Sequence, residues 1–472
     1  MPAVGKAGGN RHANSTAFAR RCKASYRAYA LAIGGNGGQM RLRTPSDRQD
    51  GQQDLLDLIR TLTSNVPARG NYGQWTRIPY QPRPLCTRKI ILSDETQGAI
   101  SKLETTATRY DCLIGASDFS DALRRVMHRL EGVYSWQLNG MAADYRLCCY
   151  IDHFSKAGTA AEQANPQRAL TRLLGVDDEA VRAATGALQI AAIMDGVFAG
   201  DLEANNLTPA RIVAIHDAIA SALHPSQACG LRTWDLPPIA TPGNGSAYVA
   251  PAPATLHAYL DDIAMFVATS KLGPVTKAAL THFQLETVRM FSSNLDEASR
   301  VITACLWKNS GLITHMMPPI SITPAIQTST HTRKLHFYLF EPSSCELLML
   351  DDWVYLIACS TLNAFEIEWL CFQKAKALVE SWKQRLGEQG VKISTQFERL
   401  LVEFIGSPVF SISAMEQTVG SSFSTTGAMV ETLVQAGIAL QVNEGRRNRV
   451  FECPEALALF TWADRAFREA EE

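Results

Sequence analysis

The chain has 472 residues, 45 basic and 46 acidic side chains and a net charge of −1, with 46% hydrophobic residues. At roughly 100–200 residues per domain, this length predicts two to four domains and excludes a single small module. The charge balance gives no overall footprint for nucleic acid or an anionic membrane, so any such contact has to be local.

The 11 cysteines are scattered apart from the adjacent Cys148 and Cys149, with no paired CxxC spacing and no histidine at ligand distance along the chain. That pattern predicts reduced, mostly buried thiols, no metal site and a cytoplasmic protein. The most apolar stretches, 188–198 and 353–361, are broken by polar residues before the ~20 positions a membrane span needs, so no transmembrane helix and no membrane partner are expected.

Residues 1–70 read as a flexible basic tail, since the first 50 carry nine basic against two acidic residues. The GGNGG run at 34–38 resembles a nucleotide-binding loop only superficially, since no strand is apparent before it and no helix after it. Residues 71–165 form an N-terminal arm and helices. The arm begins with the aromatic and proline-rich text YGQWTRIPYQPRPLC, which favours extended backbone lying on a core.

Helix-spaced apolar residues then predict helices over 96–110, 118–130, 166–174, 178–198, 208–223, 254–268 and 274–291. Proline marks the start of two of them, at Thr208-Pro209 and Gly273-Pro274. A small hairpin or flap is expected over 241–253, where the text is TPGNGSAYVAPAP. A proline-rich break covers 309–335, and helices resume over 353–386, so a helical core spans 166–390. After a linker, residues 395–465 read as helix, helix, turn, helix and a two-stranded wing, the order of a winged helix-turn-helix.

The helix over 274–291 is apolar on nearly every side, as expected of a buried central helix. Its text AALTHFQLETVRMF resembles the Fic (Fido) family, in which a helix of this kind ends in a histidine, proline and phenylalanine and runs into a glycine-rich loop. The resemblance implies a mainly α, Fic-type helical bundle with a β-hairpin flap, followed by a winged helix-turn-helix. It also implies protein adenylyltransferase chemistry. In the family the loop and the next helix bind the phosphates of ATP, an acidic residue holds Mg²⁺, and the histidine takes the proton of a target hydroxyl during AMP transfer.

This sequence departs from that pattern where the chemistry lies. Arg289 stands at the histidine position, Met290 at the proline, and only Phe291 is kept. A guanidinium cannot act as a general base. Ser293 replaces the acidic metal ligand, Asn294, Leu295 and Asp296 replace the glycine-rich nest, and Glu297 replaces its arginine. The family's last arginine survives as Arg300. Ser293 with Asp296, or Asn294 with Glu297, approximates a capping box for the next helix, and two carboxylates fall on its positive end.

Further likeness lies in Leu130-Glu131-Gly132, similar to the family's inhibitory-helix signature although Met127 takes its Ser/Thr position. Gly230 to Thr233 and the segment Tyr248, Val249, Ala250 and Pro251 are similar to the target-docking flap region, and the text over 445–457 is similar to the winged helix that often follows. The likeness spans 70–465 and implies an ion pair between Glu131 and Arg300.

Two functions follow as expectations. One is a pseudoenzyme that works through a protein partner, a homodimer or DNA and needs no cofactor. The other is an active transferase using ATP and Mg with rearranged residues such as His282, Arg289 and Arg300. DNA contact would use Ser424, Thr425 and Thr426 with Arg446, Arg447 and Arg449. Against DNA, residues 395–463 hold four arginines and seven glutamates, a net of −3 that disfavours phosphate. His282, on an apolar helix, reads as a core histidine before it reads as a substitute base.

Overall fold

The computed structural model describes residues 82–158, 162–163, 165–200, 207–223, 230–237, 239–240, 247–291, 293, 295–326, 346–443 and 448–460. The expected tail over 1–70, the GGNGG run, Ser292, Asn294, Arg446 and Arg447 lie outside them. All described residues belong to one compact unit, Gln74–Glu472.

The end of the arm lies on the core as expected. A short 3₁₀ turn at Leu85–Thr87 buries Leu85, and the N–H groups of Leu85 and Cys86 donate to the Asp262 carboxylate. Helix α1 (Asp94–Gly115) starts at Ser93, whose side chain accepts from the Thr96 N–H. It is followed by α2 (Ser120–Leu138), α3 (Tyr145–Ala157), α4 (Pro166–Leu174) and α5 (Asp178–Ala199). Asp177 caps α5, and Gly200 ends it at φ 95°, where glycine carries no Cβ penalty. Helix α3 was not expected: its buried residues Tyr145, Leu147, Cys148, Cys149, Tyr150, Ile151 and Phe154 occupy most of its circumference, so no single apolar stripe marks it.

Helices α2 and α5 form the centre. At Gly132 an added Cβ would stand 2.0 Å from the Ala187 carbonyl oxygen, and at Gly186 one would stand 2.6 Å from the Trp136 ring. Glycine at both positions therefore lets the two backbones approach closely.

Around this pair lie α6 (Pro209–Leu223), α7 (Leu256–Thr269), α8 (Pro274–Val288), α9 (Leu295–Ser310) and the short α10 (Ile322–Ile326). The flap is present as β1 (Ile239–Ala240) and β2 (Ala247–Tyr248), antiparallel with Ile239 opposite Tyr248. Helix α11 (Glu346–Glu388) runs for 43 residues. It is tied to α1 by Tyr110 stacked on Trp369 at 4.7 Å, and to α8 by the Trp353 Nε1–H donating to the Ala279 carbonyl at 2.9 Å.

By length and composition, α5 and residues Leu350–Glu388 are long and apolar enough to cross a membrane. The sequence reading, which expected no transmembrane helix, looked for unbroken apolar runs, and isolated charges interrupt both segments. Their most apolar stretches are 50% and 67% buried inside the protein, as in core helices.

The C-terminal part comprises α12 (Thr395–Gly406), β3 (Val409–Ser411), α13 (Ile412–Val419), α14 (Phe423–Gln435), β4 (Leu440–Gln441), β5 (Val450–Glu452) and α15 (Pro454–Phe460). The expected helices and two late strands are present, and β3 is an addition. The sheet order is β3-β5-β4, all antiparallel, with Phe410 opposite Phe451. Phe404 stacks on Phe410 at 4.3 Å and Phe410 on Phe451 at 5.6 Å, forming an aromatic core under the sheet.

Candidate functional site at the α8–α9 junction

Helix α8 was expected to reach Phe291 and ends three residues earlier. Arg289 adopts φ 50° and ψ 53°, the left-handed C-terminal cap conformation, and its N–H closes on the Leu285 carbonyl at 3.0 Å. A residue with a Cβ held there costs roughly 1–2 kcal/mol, so the surroundings must fix it. Arg232 does so. Its Nε donates to the Arg289 carbonyl at 2.8 Å and its backbone N–H to the Met290 carbonyl at 3.1 Å. The rest of its guanidinium donates to the carbonyls of Trp234 and Pro251. This 2% exposed arginine thus joins the end of α8 to the base of the flap.

His216 of α6 is a second organiser that sequence reading passed over. Its ring lies parallel to that of Phe291, 3.8 Å between centroids. Its Nε2 faces the Ser293 carbonyl at 3.0 Å and its Nδ1 faces Asp217 Oδ1 at 3.0 Å, while the same carboxylate accepts from the Gly230 N–H at 2.7 Å. The sequence signal was present in a fully buried His on an otherwise apolar helix beside an Asp, but nothing local pointed it toward Phe291.

The expected capping box does not form from Ser293. Its hydroxyl is buried without a hydrogen-bond partner. Glu297 instead accepts from the Asn139 amide at the end of α2. Asp296 and Glu297 nonetheless occupy the first turn of α9, at its positive end. Burial raises the Glu297 carboxyl above its ordinary range, against the pull of Arg300.

Glu131 and Arg300 come together, with Nε 3.8 Å from Oε1. Each is held by a hydroxyl that the sequence did not reveal. The Ser135 oxygen accepts from Arg300 Nε at 3.0 Å and from its Nη2 at 2.6 Å. Glu131 accepts from the Ser321 N–H at 2.9 Å and the Ser321 hydroxyl at 2.6 Å. Burial pushes the Glu131 carboxyl up to about 6, with Arg300 and Ser321 opposing the rise.

His282 lies one turn before Glu286, 3.7 Å from its Oε1, with its ring edge against Trp353. It is therefore packed in the core between α8 and α11. In the flap, Tyr248 belongs to β2, Val249 and Ala250 are half-buried and Pro251 is buried.

Of the residues singled out for DNA, Ser424, Thr425, Thr426 and Arg449 are described. Ser424 and Thr425 are exposed at the start of α14, but Thr426 is fully buried, bonded to the Ser421 hydroxyl at 3.2 Å. Arg449 is ion-paired to Glu431 of α14 and lies over the Phe451 ring. Helical periodicity explains the first correction: Thr426 falls on the same face as the buried Met429, Val430 and Leu433.

No family model matches the chain, and no curated protein matches it. Solved structures do. A Fic family protein from Desulfovibrio desulfuricans G20 is similar at 12% identity and a TM-score of 0.44, over 79% of this chain and 98% of that one. Fic-1 (residues 134–508) from C. elegans is similar at 14% identity and a TM-score of 0.38, over 78% of this chain and 98% of that one. Both of these solved structures, to which this chain is similar in fold, are Fic-family proteins.

Proposed function

We propose that this chain is a Fic-type protein that does not transfer AMP and that works by binding another protein. The observation that carries the reading is the junction itself. The position of the resembled family's base is a guanidinium in a left-handed cap, and the first turn of α9 holds two carboxylates, one of them bonded to Asn139. A helix start of this kind repels a triphosphate instead of attracting it.

A protein partner is favoured over DNA because Thr426 is buried and Arg449 is neutralised by Glu431, while Phe423 and Leu440 are exposed at 56% and 47%. Apolar exposure of this kind suits protein contact better than phosphate contact.

The test is a thermal-shift titration with ATP and Mg²⁺, followed by incorporation of labelled AMP into cell-extract proteins. No shift and no label are expected. The variant R289H is expected to remain inactive too, because Ser293, Asp296 and Glu297 still oppose metal and phosphate. Label transfer by the wild type would overturn the proposal, and transfer by R289H alone would overturn the part assigned to α9.

A further inference from the structure

The segment between α9 and α10, residues 311–321, contains neither helix nor strand, yet Met316 and Met317 are 1% and 0% exposed. Three side chains pin the backbone of this strap. Asp111 of α1 accepts from the Thr314 and His315 N–H groups at 3.0 and 2.9 Å. His128 of α2 accepts from the Met317 N–H at 3.2 Å, and Glu131, one turn further along α2, accepts from the Ser321 N–H at 2.9 Å. Two pins are carboxylates, and the middle one is an imidazole.

The Met317 contact fixes the donor and acceptor roles at His128. A backbone N–H only donates, so Nε2 carries the lone pair and Nδ1 the proton, which it gives to Asp195 Oδ1 of α5 at 2.8 Å. A second proton has only Nε2 to go to. There it would face the Met317 N–H, donor against donor, on a ring that is 0% exposed.

We infer that His128 is an acid-operated latch on this strap: protonation at Nε2 withdraws the acceptor from the Met317 N–H and frees Met316 and Met317 from the core, while Asp111 and Glu131 keep both ends attached.

The groups around His128 agree with this. From α5 it meets Asp195 and the Phe198 ring, 5.3 Å away. On its own helix, Arg124 pairs with the same Asp195 carboxylate, so the counter-charge for an imidazolium is already shared, and Asp121 lies 3.7 Å from Arg124. The charges of the other neighbouring elements are engaged elsewhere. Lys156 of α3 pairs with Asp152 at 2.7 Å and Glu403 of α12 with Arg125 at 2.8 Å. Lys308 of α9 donates to the Phe198 carbonyl at 3.1 Å, and α10 carries no charged residue. On the strap itself, His315 Nδ1 faces Asp111 at 3.1 Å.

Burial holds the His128 imidazole below its ordinary 6.5, against the pull of Asp195. A group lowered on folding contributes stability that is complete above 6.5 and lost as pH falls through the folded value. The latch therefore opens toward acid. The Glu131 pin has the opposite sense, since its carboxyl is raised to about 6 and its contribution is complete below 4.5. An imidazolium at His315 would likewise tighten its contact with Asp111.

The test is amide hydrogen exchange of the full chain between pH 7.5 and 4.5, corrected for intrinsic rates and read at Met317 and Ser321. In the wild type, protection at Met317 is expected to fall by up to about tenfold per pH unit below the transition, as uptake of one proton requires, while Ser321 stays protected. H128Q offers an acceptor oxygen that does not titrate and is expected to flatten the Met317 profile. D195N removes the counter-charge of the imidazolium and is expected to move the transition to lower pH. H315Q changes the other histidine of the region and is expected to leave the Met317 transition in place. Constant Met317 protection in the wild type overturns the inference, as does a loss at Ser321 in step with Met317, a wild-type profile in H128Q, an unmoved transition in D195N or an absent one in H315Q. If H128Q fails to fold, D195N and the wild-type profile still decide.

Discussion

At the scale of single residues, the Glu131–Arg300 contact shows how one buried pair depends on neutral hydroxyls. Arg300 Nε is 3.8 Å from the carboxylate, too far for a hydrogen bond, and Ser135 and Ser321 fill the remaining valences. Removing one buried partner leaves the other uncompensated, so E131A is expected to cost about 3–5 kcal/mol. E131Q keeps an acceptor for Ser321 and is expected to cost clearly less. The two are separable by pH. The Glu131 carboxyl is raised from 4.5 to about 6, so its contribution is complete below 4.5 and declines through about 6. A rise of this size corresponds to about 2 kcal/mol. Denaturant midpoints between pH 4.5 and 6.5 should slope less in E131Q than in the wild type, and identical slopes would refute the assignment.

At the scale of elements, the crossing of α2 and α5 rests on two glycines. A methyl group at 132 would meet the Ala187 backbone oxygen at 2.0 Å, and backbone cannot yield as a side-chain tip can. G132A should therefore destabilise by about 1–3 kcal/mol or more, by overpacking, despite alanine's better helix propensity. G186A meets a Trp136 ring instead and is expected to cost less if that ring can turn. Thermal midpoints of the two variants would test the order, and a stabilised G132A would show that the helices separate easily.

These same elements show what the sequence made legible. Periodicity and prolines placed α4 at its observed bounds and α6 within one residue, because capping and start signals are local. The end of α8 was misplaced, since Arg289 turns left-handed only through tertiary bonds from Arg232. Strand β3 is three fully buried residues, too short for any alternation to register. Within the junction, the altered motif and its two carboxylates could be read directly. Asn139, Ser135, Ser321 and His216 could not, since each comes from another element, and the four pairings span 77 to 190 residues of chain.

At the scale of the whole molecule, the described C-terminal part is bound into the helical core through polar contacts that are mostly half-buried. Arg125 pairs with Glu403 at 2.8 Å. Glu452 of β5 accepts from Arg146 at 2.8 Å and from the Tyr150 hydroxyl at 2.6 Å, both on α3. Glu455 of α15 pairs with Arg385 of α11 at 2.9 Å and accepts from the Trp382 indole. Arg129 of α2, 4% exposed, donates to the Gly406 carbonyl at the end of α12 at 2.6 Å and to Asp152 at 3.4 Å. A module tethered by a flexible linker would unfold by itself, whereas one sharing buried charges with its neighbour should unfold with it. Far-ultraviolet dichroism and tryptophan fluorescence are therefore expected to report one coincident denaturant transition for the described unit. R129M removes the buried donor and leaves the Gly406 carbonyl without it, while Asp152 keeps Lys156 at 2.7 Å, so it should lower stability by about 1–3 kcal/mol. It should also split the two probes, because Phe404, Phe410 and Phe451 give the C-terminal part a core of its own that can persist after the rest opens. Two separate transitions already present in the wild type would overturn this coupling and restore the picture of independent domains.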